Sequence, residues 1–210
     1  IPRLGFNDMW GCVQEALTPR GIPVAGYQGA FWGQCMQRAF NDALAADVEW
    51  ILTLDYDSMF TSDQLDQMLD IFKHNPRIDA LAPLQIKRGE HVHMLTPVDG
   101  PQSGRVEVTR WPIEVKTAHF GLTLLRTSAL KKLAKPWFQC VPNPETGEYD
   151  DERQDGDIFF WNRWREAGNT VFVTPSVGIG HLETMCVWVN EDGQKEFITA
   201  KEWRERSKAA

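Results

Sequence analysis

Apolar residues recur along the chain in short blocks that switch between the strand period and the helix period. Trp50, Ile51, Leu52, Thr53 and Leu54 form an unbroken apolar and β-branched run, which predicts a strand buried on both faces of a parallel sheet. Before it, Ile1–Phe6 reads as a loop. Asn7 or Asp8 then caps a helix with Trp10, Val13 and Leu17 inward, stopped by Pro19 and Gly21. Ile22–Ala25 is a candidate strand. From Gly29 a longer helix is predicted, with Phe31, Cys35, Ala39 and Ala43 repeating every four residues beside Trp32, Met36, Phe40 and Leu44. After the central run, Thr61 and Gln64 form a capping box ahead of Leu65, Met68, Leu69 and Phe72; His74-Asn75-Pro76 ends that helix and Ile78–Ile86 reads as another buried strand. The order α, β, α, β, α, β favours a parallel sheet with helices on both faces.

Lys87–Trp111 is polar and rich in turn residues, a long loop that reads as a flap on the acceptor side of a site. Ile113, Val115 and Thr117 alternate as in a half-exposed strand, Gly121 interrupts, and Leu122–Leu125 continues it; Ser128–Leu133 is a short helix ended by Pro136. Asp150, Asp151, Glu152, Asp155 and Asp157 precede a helix carrying Phe160, Trp161 and Trp164, with Gly168 at its end. Val171–Val173 is a further strand. A hairpin over Cys186–Val189 and Lys195–Ile198 follows, then a final helix capped by Thr199 and Glu202.

Composition narrows the class. A net charge of -7 argues against coating nucleic acid through bulk electrostatics, and no run of about 18 apolar residues is present to span a membrane. Cys12, Cys35, Cys140 and Cys186 are far apart and form no CxxC pair, so reduced, buried thiols in a cytoplasmic protein are expected. Nine tryptophans exceed the ordinary need of a core, and flat rings also stack on apolar sugar faces.

Candidate chemistry lies at strand ends. Asp55 and Asp57 follow the central strand directly, and two carboxylates at the carboxyl edge of an α/β sheet suit a divalent cation; an acidic turn closing the strand explains them as well. His181, after Pro175–Gly180, completes a mixed nitrogen and oxygen site if the sheet brings it opposite Asp57, a combination that favours Mn2+ over Mg2+. An acid on the first turn of the later helix is placed to take a proton from an attacking hydroxyl, although helix capping alone accounts for such acids. Gly121 within a strand pattern lets a ligand approach the backbone. His91 and His93 form an HxH pair in the loop. Arg38 and Asn41 lie off the apolar stripe of their helix. Lys131, Lys132 and Lys135, and Lys201, Arg204, Arg206 and Lys208, keep a polyanionic acceptor open, with solvated helix faces the plainer explanation.

Taken together, a buried strand ending in DxD, the segment GLTLLRTSAL, the helix DIFFWNRWREAG and then VFVTPSVGIGH resemble the nucleotide-sugar-dependent glycosyltransferases of the GT-A fold, especially glycosyltransferase family two. The resemblance implies one GT-A-like, Rossmann-like α/β domain over residues 1–210: a mostly parallel sheet flanked by helices, with a small antiparallel addition and without the family's first strand. It implies transfer of a sugar from a nucleotide-sugar, UDP-sugars favoured, to an acceptor hydroxyl with inversion; the acceptor is a glycan, a lipid carrier, a protein or a modified nucleic-acid base. By the same resemblance Asp55 lies near the nucleotide ribose or the metal, Asp57 and His181 bind the metal, and Asp157 is the base. Pro2 and Arg3 meet the nucleotide, and Arg38 matches a basic residue of the family's RN helix. Gly156 stands where the family has its first ED acid, which leaves Asp155 as the competing base. Two alternatives stay open: a haloacid-dehalogenase-like phosphohydrolase with Asp55 as nucleophile, and a non-catalytic glycan-binding relative.

Overall fold

The computed structural model describes residues 7–99 and 104–209, so Pro2 and Arg3 lie outside the described residues. Helix α1 (Asn7–Ala16) and helix α2 (Trp32–Ala45) lead into β1 (Trp50–Leu54), the short β2 (Ser58–Met59), α3 (Ser62–His74) and β3 (Ala80–Leu84). Next come β4 (Leu95–Pro97), β5 (Ile113–Ala118), β6 (Leu122–Arg126) and the one-turn α4 (Thr127–Leu130). Helix α5 (Gly156–Glu166), β7 (Val171–Gly178), β8 (Gly180–His181), the hairpin strands β9 (Met185–Val189) and β10 (Lys195–Thr199), and α6 (Ala200–Ala209) follow.

Six of these strands form one sheet in the order β1-β6-β3-β7-β5-β4. It is a mixed sheet, not the mostly parallel one expected. Among the described residues only β3 and β7 pair in parallel; β6 is wedged between β1 and β3 and runs antiparallel to both. The cause is the connection. Among the described residues between β3 and β6 no helix carries the chain back to the far edge of the sheet, and a parallel return needs such a crossover. Met94 donates to Gln85 O at 2.9 Å and Asp55 donates to Gly121 O at 3.4 Å, so the chain is still at the carboxyl ends of β1 and β3 when β6 begins. β1, β3 and β7 nevertheless point the same way, and their carboxyl ends share one edge.

Alternation across the sheet divides the core in two. Ala80, Ala82 and Leu125 face a cluster with Phe40 of α2 and with Phe160, Trp161 and Trp164 of α5; Leu81, Leu122 and Leu124 face a second cluster built from α1 and α3. The result is helices on both faces of one sheet. Each fully buried large apolar side chain contributes about 1.5–3 kcal/mol. In α2 the row Trp32, Met36, Phe40 and Leu44 meets the core, while Phe31 at its start is exposed. In α1 the inner face is Met9, Cys12, Val13 and Ala16, so Trp10 is turned outward, about a fifth of a turn from where the sequence put it. Ile22–Ala25 is not a strand: Pro23 offers no donor and Val24 is exposed. The stop signals before it hold, since a 3-10 turn over Thr18–Arg20 ends at Gly21 in the left-handed region with φ 63°.

Trp137, Trp161 and Trp164 are buried, whereas Trp10, Trp111, Trp188 and Trp203 are exposed. All four cysteines are free, but Cys140 and Cys186 are exposed rather than buried. The β9–β10 hairpin forms as expected, and Thr199 and Glu202 cap α6 reciprocally at 2.6 and 3.2 Å. Among the described residues no helix is long and apolar enough to cross a membrane.

Candidate active site

The site starts from the turn that closes β1. Ser58 donates to Asp55 O at 3.2 Å, which reverses the chain and lets β2 pair with β8 in the register Ser58↔His181 and Met59↔Gly180. Leu182 donates to Asp57 O at 2.8 Å and closes the ladder. Gly180 suits this approach, since a Cβ there would stand 3.0 Å from the Met59 Cβ, closer than ordinary contact. The zipper brings Asp57 and His181, 124 positions apart in the sequence, together, with Nε2 of His181 3.4 Å from Oδ2 of Asp57.

His181 is oriented from behind. Its Nδ1 lies 3.0 Å from the carbonyl of Ile86, which can only accept, so Nδ1–H donates there, and in the protonated ring Nε2–H donates to Asp57. Such a backing contact is what orients metal-ligating imidazoles. The hydrogen bond with Asp57 raises the His181 pKa, against the cost of burial. The Asp57 side chain is only 4 % exposed. Burial would raise its pKa, but the His181 hydrogen bond and the charges of His181 and Arg88 outweigh it and hold the carboxyl below its ordinary range. Arg88 lies 3.1 Å from the same Oδ2. It sits in a tight turn after β3, where Glu90 donates to Lys87 O and Gly89 takes φ 67°.

Asp55 is the strained member. Burial first, and then the charge of Asp57, push its pKa up to about 6, with a further push from Asp157; a hydrogen bond from Trp32 and the charge of His181 oppose them. Asp55, Asp57, Asp157 and His181 therefore share one electrostatic neighbourhood. Asp157 lies on the first turn of α5, where burial raises its pKa against the hydrogen bond it accepts from Ile158 N at 2.8 Å. Asp155, the competing acid, is the N-cap residue. It pairs with Arg153 at 2.9 Å and is exposed, whereas the charge of Asp157 is felt at Asp55. A cleft of about 680 Å³ at the start of α5 is lined by Asp155 and Ile158 together with Lys87, Glu152, Arg153 and Gln154, and Asp157 is not among its lining residues.

Gly121 has a different role from the one expected. A Cβ there would come within 2.6 Å of Ser58 Oγ, 2.9 Å of Gln85 Oε1 and 2.9 Å of His119 Nδ1, so the missing side chain admits three buried polar groups rather than a ligand. His119 Nε2 donates to Pro83 O at 2.9 Å while its Nδ1 accepts from Gly121 N at 3.0 Å. Gln85 donates to Gly180 O at 3.2 Å, tying β3 to the strand that carries His181. This layer lies directly beneath the acidic turn.

Other candidates lie elsewhere. Arg38 binds the carbonyl of Gln28 and lies against Cys35, so it braces the 27–30 loop instead of reaching Asp55 or Asp57. His93 accepts from Val106 N at 3.1 Å and the His91 carbonyl accepts from Arg105 at 2.7 Å, so the HxH pair organises its own loop. The start of that loop is tied down, since Lys87 donates to Val92 O and Ile86 bridges His93. Lys131, Lys132 and Lys135 each have a local partner, in Asp47, Asn169 and Asn41. Among the described residues no group of three or more His, Cys, Asp or Glu side chains is placed to hold a metal ion. Sequence reading missed Arg88, Gln85, His119 and Trp32. For Arg88 the available signal was an Arg-Gly turn immediately after a buried strand.

The fold and site define an α/β protein with a carboxylate and imidazole pair at the carboxyl edge of three co-directional strands. No protein-family model matches the sequence, and no curated protein matches it. Among solved structures, the crystal structure of A197 from STIV is similar in fold, with a TM-score of 0.56 at 14% identity over 88% of this chain and 85% of that one.

Proposed function

We propose that the chain is a metal-dependent glycosyltransferase on a GT-A-like fold, moving a sugar from a nucleotide-sugar to an acceptor hydroxyl with inversion. The observation that carries this reading is the meeting of Asp57 and His181, 3.4 Å apart at the strand edge, beside Asp55, which feels the charges of Asp57, His181 and Asp157. One carboxylate oxygen and one backed imidazole nitrogen fit a divalent cation, Mn2+ or Mg2+, that arrives with a diphosphate, because phosphate oxygens and water fill its other positions. When bound, that cation supplies positive charge against which the diphosphate leaves.

The chain's own groups do the rest. Asp157 takes the proton of the acceptor hydroxyl as that oxygen bonds the anomeric carbon. The bond from that carbon to the donor phosphate oxygen breaks on the opposite face, so the configuration inverts. A carboxylate with a raised pKa is the stronger base, which is the use of burying Asp157. The acceptor's class is a glycan, a lipid carrier, a protein or a modified nucleic-acid base.

The test is release of nucleoside diphosphate from a panel of UDP-sugars, with Mn2+ and an acceptor panel. Asp157→Asn is expected to lower turnover by about 10²–10⁴-fold with UDP affinity unchanged. Asp57→Ala is expected to abolish Mn2+-dependent UDP binding. Full transfer by Asp57→Ala with chelator present removes the metal from the mechanism, and turnover by Asp157→Asn within about threefold puts the base elsewhere. Phosphate released from a simple phosphate ester would favour the phosphohydrolase alternative instead.

A further inference from the structure

Oδ2 of Asp57 has two cationic suitors. His181 Nε2 lies 3.4 Å from it and Arg88 NH1 lies 3.1 Å from the same atom. A buried carboxylate without a counter-charge is costly, so Arg88 supplies what this one needs while the site is empty. The two partners differ in freedom. The Asp57 side chain is 4 % exposed, whereas that of Arg88 is 46 % exposed. The turn beneath Arg88 is fixed by the Lys87–Glu90 ion pair at 2.7 Å and by the Glu90 and Lys87 backbone bonds, so the guanidinium can swing on its stem while its backbone stays put.

We propose that Arg88 is the resident counter-cation of the Asp57–His181 site: it competes with the divalent cation for Oδ2 and moves onto the diphosphate when the donor enters. This rests on reading Asp57 and His181 as cation ligands. A divalent ion arriving alone must evict Arg88 and leave it without a partner. An ion arriving with a diphosphate offers the guanidinium a pair of phosphate oxygens, a better match than one carboxylate oxygen. Metal and nucleotide are thereby coupled, each binding better in the presence of the other. Arg88 also ends beside the leaving diphosphate, where its charge assists departure without any proton transfer.

The test measures Mn2+ binding from the free-ion electron paramagnetic resonance signal, and UDP binding with saturating Mn2+ by calorimetry, for the wild type, Arg88→Gln and Arg88→Lys. Arg88→Gln is expected to bind Mn2+ alone about fivefold tighter or more, and UDP with Mn2+ about tenfold weaker or more. Arg88→Lys keeps the charge without the planar fork; its Mn2+ affinity is expected near wild type and its UDP affinity between the other two. If the wild type binds both ligands and Arg88→Gln leaves both affinities within twofold, the proposal falls and the glycosyltransferase reading stands. If the wild type takes up neither Mn2+ nor UDP, both fall together.

Discussion

Asp55 and His119 titrate in the same window with opposite consequences. The Asp55 pKa is raised from 3.8 to about 6, so between these values the native state holds a proton that the unfolded chain has released, and stability falls as pH rises. His119, buried and neutral, is lowered from 6.5 to about 4; there the unfolded chain holds the extra proton, and stability falls as pH drops. Comparing Asp55→Asn with the wild type isolates the first effect. The variant is expected to be more stable by about 2 kcal/mol above pH 6, after allowance for partial exposure, with the gain vanishing below about pH 4. Urea denaturation across that range measures it. A gain of the same size at pH 3.5 and pH 7 would show that Asp55 does not titrate as described. A site residue that weakens the fold at neutral pH is what a functional carboxylate looks like.

Helix α3 shows a local signal and a distant consequence joined in one side chain. Gln64 accepts from Thr61 N at 2.8 Å and its own N–H finds Thr61 Oγ1 at 3.3 Å, the reciprocal cap read from the sequence. The same Gln64 side chain also donates to Gly178 O, three positions before His181, which no local pattern could announce. Thr61→Ala is expected to cost about 1 kcal/mol in chemical denaturation and to leave UDP affinity unchanged. An unaltered denaturation midpoint would mean the cap contributes nothing. Elements with a strong period of their own were legible: the apolar faces of α2 and α3, the β1 run with Asp55 and Asp57 directly after it, and the terminal hairpin. Ile22–Ala25 was misread because a β-branched run says nothing about whether a neighbouring strand exists to pair with it. Arg88 was missed because its partner lies 31 positions earlier, across a turn whose shape the sequence only hints at.

For the whole molecule, counting helices between strands predicted a parallel sheet, yet the stretch from Lys87 to Gly121 has no helical period and so could not carry the chain back. That sign was present and outweighed. The linkage between ligand and fold is also a whole-molecule property. In saturating Mn2+, UDP at about a hundred times its dissociation constant is expected to add about 2.7 kcal/mol beyond Mn2+ alone and to raise the melting temperature by roughly 5–10 °C. Chelator should remove most of the rise. A melting temperature indifferent to the pair would remove the donor site from the account. The reversed strand β6 has a consequence of its own. Because it stands between β1 and β3, the chain ends bearing Asp57 and Arg88 emerge about 10 Å apart, two strand spacings, and the side chains meet only by leaning across the gap. Had β1 and β3 been immediate neighbours those ends would abut. The backward-running strand is a spacer, and the Arg88 guanidinium spans the distance it sets.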